Sequence, residues 1–216
     1  MRLRELRHPK DRLLALSDGV FAVAMTLMSI DVVTSSRGEF EGQSLGEHLI
    51  SQWPVYTAYV IGFLTVLVCW INHQVVYEPV ESLNTGLVWI NGLQMALVAA
   101  VPMPTALLAE HLTDEGSQLA FSLYGVTFML MALSFFVTAS HIRRRQLAPE
   151  ADSQLRSGLI RCYGLAVAWT VVCLIVCQFS LVAAIAMWAV MFAVFAFPMQ
   201  FAAFIAGRAR IPAART

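Results

Sequence analysis

Charge is scarce in this sequence. Of 216 residues, only 13% are Asp, Glu, Lys or Arg, about half the share in a soluble globular domain. The 14 basic and 14 acidic side chains cancel to a formal net charge of zero, so no overall field recruits polyanions and no nucleic-acid partner is expected. A soluble domain of this length must cover its surface with polar groups, and a disordered chain must be poor in apolar ones. With 58% apolar residues and a mean hydropathy of +0.68, this chain is neither. Cysteine is scarce too. Cys69, Cys162, Cys173 and Cys177 all lie in apolar runs, where they read as small buried hydrophobes and not as a disulfide framework or a metal site. Catalytic motifs are missing: there is no phosphate loop, no Gly-x-Ser-x-Gly and no His-rich metal box. No arginine ladder marks a voltage sensor, and the Thr-Val-Gly-Tyr-Gly carbonyl filter of the usual potassium channels is absent. Neither an enzyme nor a resident cofactor is expected.

Long apolar runs are what the chain has instead. A membrane span needs about 20 mostly apolar residues, and six candidates fall at about 13–33, 53–76, 86–109, 118–141, 159–178 and 181–206. A transmembrane β-barrel would show short alternating segments. The expectation is a single all-α domain over 1–216 with six transmembrane helices. The last two spans form one nearly unbroken run, softened only at Gln178-Phe179-Ser180, where a tight hairpin is placed. The Pro102/Pro104 pair is expected to kink or break the end of the third helix. The first apolar run carries Asp18 and no convincing cleavage site follows, so it reads as a span and not as a signal peptide.

Basic residues set the orientation. Arg2, Arg4, Arg7, Lys10 and Arg12 precede the first span. Arg143, Arg144, Arg145, Arg156 and Arg161 fall in 142–161, and Arg208, Arg210 and Arg215 end the chain. With six spans these regions share one side, so both termini are expected to be cytoplasmic in a multi-pass cell-membrane protein. The opposite side is acidic, with Glu39, Glu41, Glu47, Glu110, Asp114 and Glu115.

Polar groups within the spans concentrate near the ends of the first three. Ionisable residues there are costly and must pair or face water. Asp18 and His73 can pair with each other or with Arg12, Ser17, Trp70 or Asn91. Such a set serves as a packing clasp or as a proton relay. No chain of carboxylates crosses the membrane, which favours the clasp. Winding the first span at 100° per residue puts Gly19, Thr26, Leu27 and Ile30 within about 60° of Val23, with Asp18, Phe21 and Met28 on the far side. A stripe of this kind suits a lipid face or a packing face as well as a pore.

Arg12, three residues on to Leu16-Ser17-Asp18-Gly19-Val20-Phe21-Ala22-Val23-Ala24-Met25-Thr26-Leu27, resembles the signature that opens the transmembrane protein 175 family. These are the lysosomal potassium channels and their prokaryotic relatives. Trp70-Ile71-Asn72-His73, and Trp89-Ile90-Asn91 through Pro102-Met103-Pro104-Thr105, resemble the family's second and third helices. The likeness covers about residues 12–140; the last two spans agree only in number and position. It implies a potassium-selective cation channel in which the first helix of each chain lines a central pore. A single six-span set then implies a homotetramer in the membrane lipid. The family's hydrophobic constriction falls on Val23, its further apolar rings on Leu27 and Ile30, and its selectivity threonine on Thr26. Its helix-holding polar residues fall on Ser17, Asp18, Trp70 and His73. Leu16 stands where the family has Phe, and Val23 where Ile or Leu is common, which implies a slightly wider constriction. The alternative is a proton-conducting pore or a proton-coupled secondary transporter using Asp18 and His73. Against the transporter, no internal duplication is visible within the six spans.

Overall fold

The computed structural model describes residues 9–35, 44–149 and 153–205. Arg2, Arg4, Arg7, Arg208, Arg210, Arg215 and the stretch with Glu39 and Glu41 lie outside them, while Lys10 and Arg12 fall in the first turn of the first helix. Among the described residues the only regular structure is helical: α1 (Pro9–Ser35), α2 (Leu45–Ser51), α3 (Trp53–Tyr77), α4 (Thr85–Ala100), α5 (Pro102–His111), α6 (Ser117–Arg144), α7 (Ser153–Cys177), α8 (Leu181–Phe195) and α9 (Pro198–Ile205). In lipid a helix satisfies its own backbone, which is why long apolar runs resolve this way. Among the described residues five stretches are long and apolar enough to cross a membrane, α1, α3, α4 with α5, α6 and α7, and the bent pair α8 and α9 makes a sixth if taken as one broken span. The protein is a multi-pass membrane protein.

Local chemistry sets several boundaries. Ser44 and Glu47 form a reciprocal capping box that starts α2 inside the stretch read as a polar loop. Asn84 caps α4 by accepting from the Leu87 amide at 2.7 Å, and Ser180 caps α8 through Ala183. The proline pair ends α4 at Ala100, and α5 continues the same span to His111. Thr105 donates both its backbone amide, at 3.3 Å, and its hydroxyl, at 2.8 Å, to the Val101 carbonyl at the start of α5.

The last span departs from expectation. Where the sequence suggests one run over 181–206, the chain bends by 88° between α8 and α9. At 15 residues α8 is about 22 Å long, short of the roughly 30 Å hydrocarbon core. The bend frees the Phe195 carbonyl, and Asn72 of α3 takes it at 3.0 Å. Tyr163 of α7 donates to the same Asn72 side chain at 3.1 Å.

α1 packs on α3, α4 and α5; α6 and α7 pair along most of their lengths, and α9 lies across α7. That last crossing depends on Gly158. A Cβ there would sit 2.5 Å from the Ala202 carbonyl oxygen, a contact that backbone must move to relieve. Gly158→Ala should therefore lower the melting temperature of the purified protein, with a cost of about 1–3 kcal/mol as for other overpacked sites. Gly19→Ala is its control, since an added Cβ there meets nothing within 4 Å. Equal melting of the two variants would contradict this crossing.

Candidate functional site

The inward face of α1 carries Ser17, Phe21, Ala24 and Met28, all buried, at the 4-3-4 spacing of one helix face. The other face is bare. Val23 is 56% exposed, Leu27 43% and Ile30 53%, against 1% for Phe21 and Met28. Gly19 and Thr26 share the exposed side. The stripe found by helix winding is thus a mostly apolar surface that no other described part of this chain covers. Its one hydroxyl is oriented: Thr26 donates to the Val23 carbonyl at 2.9 Å. The proton is spent on the backbone, which leaves the hydroxyl oxygen as an acceptor on the exposed side.

Behind the stripe a set of polar side chains ties α1 to α3 and α4. Asn91 on α4 is the hub. Its Oδ1 lies 2.9 Å from His73 Nε2, and its Nδ2 donates to Ser17 Oγ at 3.1 Å. Ser17 gives its own proton to the Leu13 carbonyl at 3.0 Å, which leaves its oxygen to accept from Asn91. The Asn91 carbonyl oxygen is thereby left to accept the Nε2 proton of His73. His73 is fully buried, stacked on Tyr77 and met edge-on by Phe21. Asp18 is held separately, on the exposed side of the same turn. Its Oδ1 accepts from Trp70 Nε1 and from Gln74 Nε2, both at 2.8 Å. The structure therefore brings together Ser17, His73 and Asn91 in one group and Asp18 and Trp70 in another.

Two details differ from the sequence reading. Arg12 is exposed and stands outside both groups. Gln74, not assigned a role beforehand, supplies the second donor to Asp18. Its signal was its place four residues after Trp70, on the same face of α3. Asp18 and His73 have separate partners, so they do not form the direct pair that a two-residue proton relay would use. Among the described residues no group of His, Cys, Asp or Glu is placed to hold a metal ion. At the other end of these helices, Glu110 sits in the last turn of α5, Asp114 and Glu115 follow it, and Glu47 sits in α2. The His111 ring and the Gly116 amide hold the Asp114 carboxyl below the usual carboxylate range, so it is ionised at neutral pH.

The chain is similar to known proteins in sequence and in fold. The family model described as endosomal/lysosomal potassium channel TMEM175 matches residues 12–102, which cover α1, α3, α4 and the start of α5. A Streptomyces collinus protein named a potassium channel is 40% identical over 134 residues, 62% of this chain and 64% of that protein. A Chamaesiphon minutus protein, also named a potassium channel, is 37% identical over 143 residues, 65% of this chain and 70% of its own length. This chain thus spans just under two thirds of the first relative. The crystal structure of a lysosomal potassium-selective channel TMEM175 homolog from Chamaesiphon minutus superposes with a TM-score of 0.78 at 28% identity, covering 90% of this chain and all of that one. With a first helix that carries the signature and relatives of this similarity and coverage, the chain belongs to the TMEM175 family.

Proposed function

We propose that this chain forms a potassium-selective cation channel in the cell membrane, as a homotetramer whose four α1 helices line the pore. The observation that carries the reading is the split of α1 into a clasped, buried face and an uncovered stripe of Val23, Thr26, Leu27 and Ile30. Copies arranged around a closed axis would bring those stripes face to face. The names of the two bacterial relatives and of the solved homologue support the choice of ion.

Conduction in this reading is passive, with no catalysis and no cofactor. A ring of four Val23 side chains makes a constriction that dewets and closes the path. Potassium loses its water more readily than sodium, so a narrow apolar ring penalises sodium more. The hydroxyl oxygens of Thr26 replace part of the lost water. The acidic groups beside α2 and α5 raise the local cation concentration, within the screening length. The test is flux in liposomes that contain only the purified protein. Potassium efflux exceeding sodium efflux, with discrete single-channel steps, is expected; saturable flux coupled to a proton gradient would establish a carrier instead.

Orientation follows from the basic residues and has its own check. The four native cysteines are buried, so background labelling is low. Glu115→Cys should react with an impermeant thiol reagent applied to intact cells, and Arg144→Cys should react only after permeabilisation. The opposite pattern would place the termini outside.

A further inference from the structure

On the side of the molecule away from α1, the helices α7, α8 and α9 enclose an apolar groove of about 360 Å³, within the size range of small-ligand sites. Leu165, Trp169 and Val172 form one wall, Val190 and Val194 the other, and Phe201 of α9 closes one end. Trp169 ties the walls together by donating its indole N–H to the Met187 carbonyl at 3.1 Å. The groove exists because α8 stops short and the chain turns by 88° into α9.

One charged residue, Arg161, immediately precedes the groove's lining on α7, next to Cys162. Arg161 lies four residues before Leu165 and eight before Trp169, on the same face of α7. It is exposed, and it makes no ion pair among the described residues. Its depth makes that notable. Arg161 is 16 residues from Cys177, the other end of α7, or about 24 Å along the axis, inside the roughly 30 Å hydrocarbon thickness. A guanidinium at that depth, on a lipid-facing surface, snorkels to the boundary and needs an anion there. The Gly158–Ala202 crossing puts α9 at the same level, about 28 Å from Cys177. α9 runs across the direction of α8 with Phe197 and Phe204 exposed beside it, as an interfacial helix does.

We propose that this groove is a binding site for one anionic phospholipid of the adjacent leaflet, its phosphate on Arg161 and one acyl chain between α7 and α8. A lipid satisfies both observations at once: an apolar slot open to the bilayer and an uncompensated cation at its headgroup end. The site rests on α7 crossing the membrane, not on which helix lines the pore.

Native mass spectrometry and thermal melting of the full-length protein in neutral detergent test it, with added phosphatidylglycerol, phosphatidylcholine or inorganic phosphate. The wild type should retain phosphatidylglycerol over phosphatidylcholine and melt higher with it, while inorganic phosphate should have no effect. Arg161→Gln should weaken phosphatidylglycerol binding by roughly tenfold, to the level of phosphatidylcholine, as expected for one charged hydrogen-bonding group. Arg161→Lys should keep most of the preference. Ala168→Trp, which fills the slot from its exposed wall, should weaken both lipids alike; its melting without lipid reports whether it folds, and Arg161→Gln decides if it does not. Undiminished phosphatidylglycerol preference in Arg161→Gln would overturn the site. So would an equal response to inorganic phosphate, which would make it a free-anion site.

Discussion

Asn91→Leu should be among the most destabilising conservative substitutions in α1, α3 and α4. Leu keeps the volume but removes both hydrogen-bonding atoms, leaving the buried Ser17 oxygen without its donor and the buried His73 Nε2 without its partner. A buried polar group left unmade costs about 1–3 kcal/mol in soluble proteins, and about 0.6–2 kcal/mol for a hydrogen bond within a membrane bundle. Two such losses amount to about 1–4 kcal/mol. Trp70→Phe is the comparison. It removes one donor from Asp18, but Gln74 remains on the same oxygen and Asp18 is exposed enough to take water, so the cost should be clearly smaller. Melting of the purified protein, with the oligomer resolved by native mass spectrometry, reads both effects. Asn91→Leu should melt lower and assemble less; melting no lower than Trp70→Phe would mean that Asn91 does not hold α1.

The contrast shows what kind of information the sequence held. The stripe on α1 was legible because it is a matter of helical periodicity alone: Val23, Thr26, Leu27 and Ile30 lie on one side of any α-helix through them, and the structure leaves that side uncovered. The caps of α2 and α4 were legible in principle, since Ser44 with Glu47 and Asn84 with Leu87 are three-residue patterns. The partners of Asp18 and His73 were narrowed to a short set, but which pairs with which depends on how three helices cross. Gln74 enters because α3 presents Trp70 and Gln74 to one side and His73 to another. The break after Phe195 was harder. An apolar run has the same composition whether it goes through the membrane or turns along it, and only Pro198 hinted at a stop. The group that accepts the turn is Asn72, 123 residues away in sequence, a contact no local pattern carries. Gly158 is a similar case: one glycine among 12, singled out only by the Ala202 carbonyl that comes to rest against it.

Val23→Asn should produce the largest functional change, raising potassium current several-fold over the wild type. In the proposed homotetramer the substitution places four amides at the level of the proposed Val23 constriction, and a polar ring holds water where an apolar one expels it. Desolvation then discriminates less between cations, so the reversal potential under opposed potassium and sodium gradients should move toward zero. Thr26→Val tests the neighbouring level in the opposite sense. It keeps the shape of the side chain and removes an oxygen left as an acceptor on the exposed side because its proton is bonded to the Val23 carbonyl, so potassium preference should fall while current persists. Met28→Leu is the control for helix packing. Met28 is 1% exposed and lies against Gly62 and Thr105, so a near-isosteric change there should cost about 1 kcal/mol of stability and leave selectivity as it was. The three variants, compared for current size and reversal potential at matched protein density, separate the two faces of α1. If Val23→Asn and Met28→Leu behave alike, the uncovered stripe does not line the conduction path, and α1 faces lipid or another helix with the surface here assigned to ions.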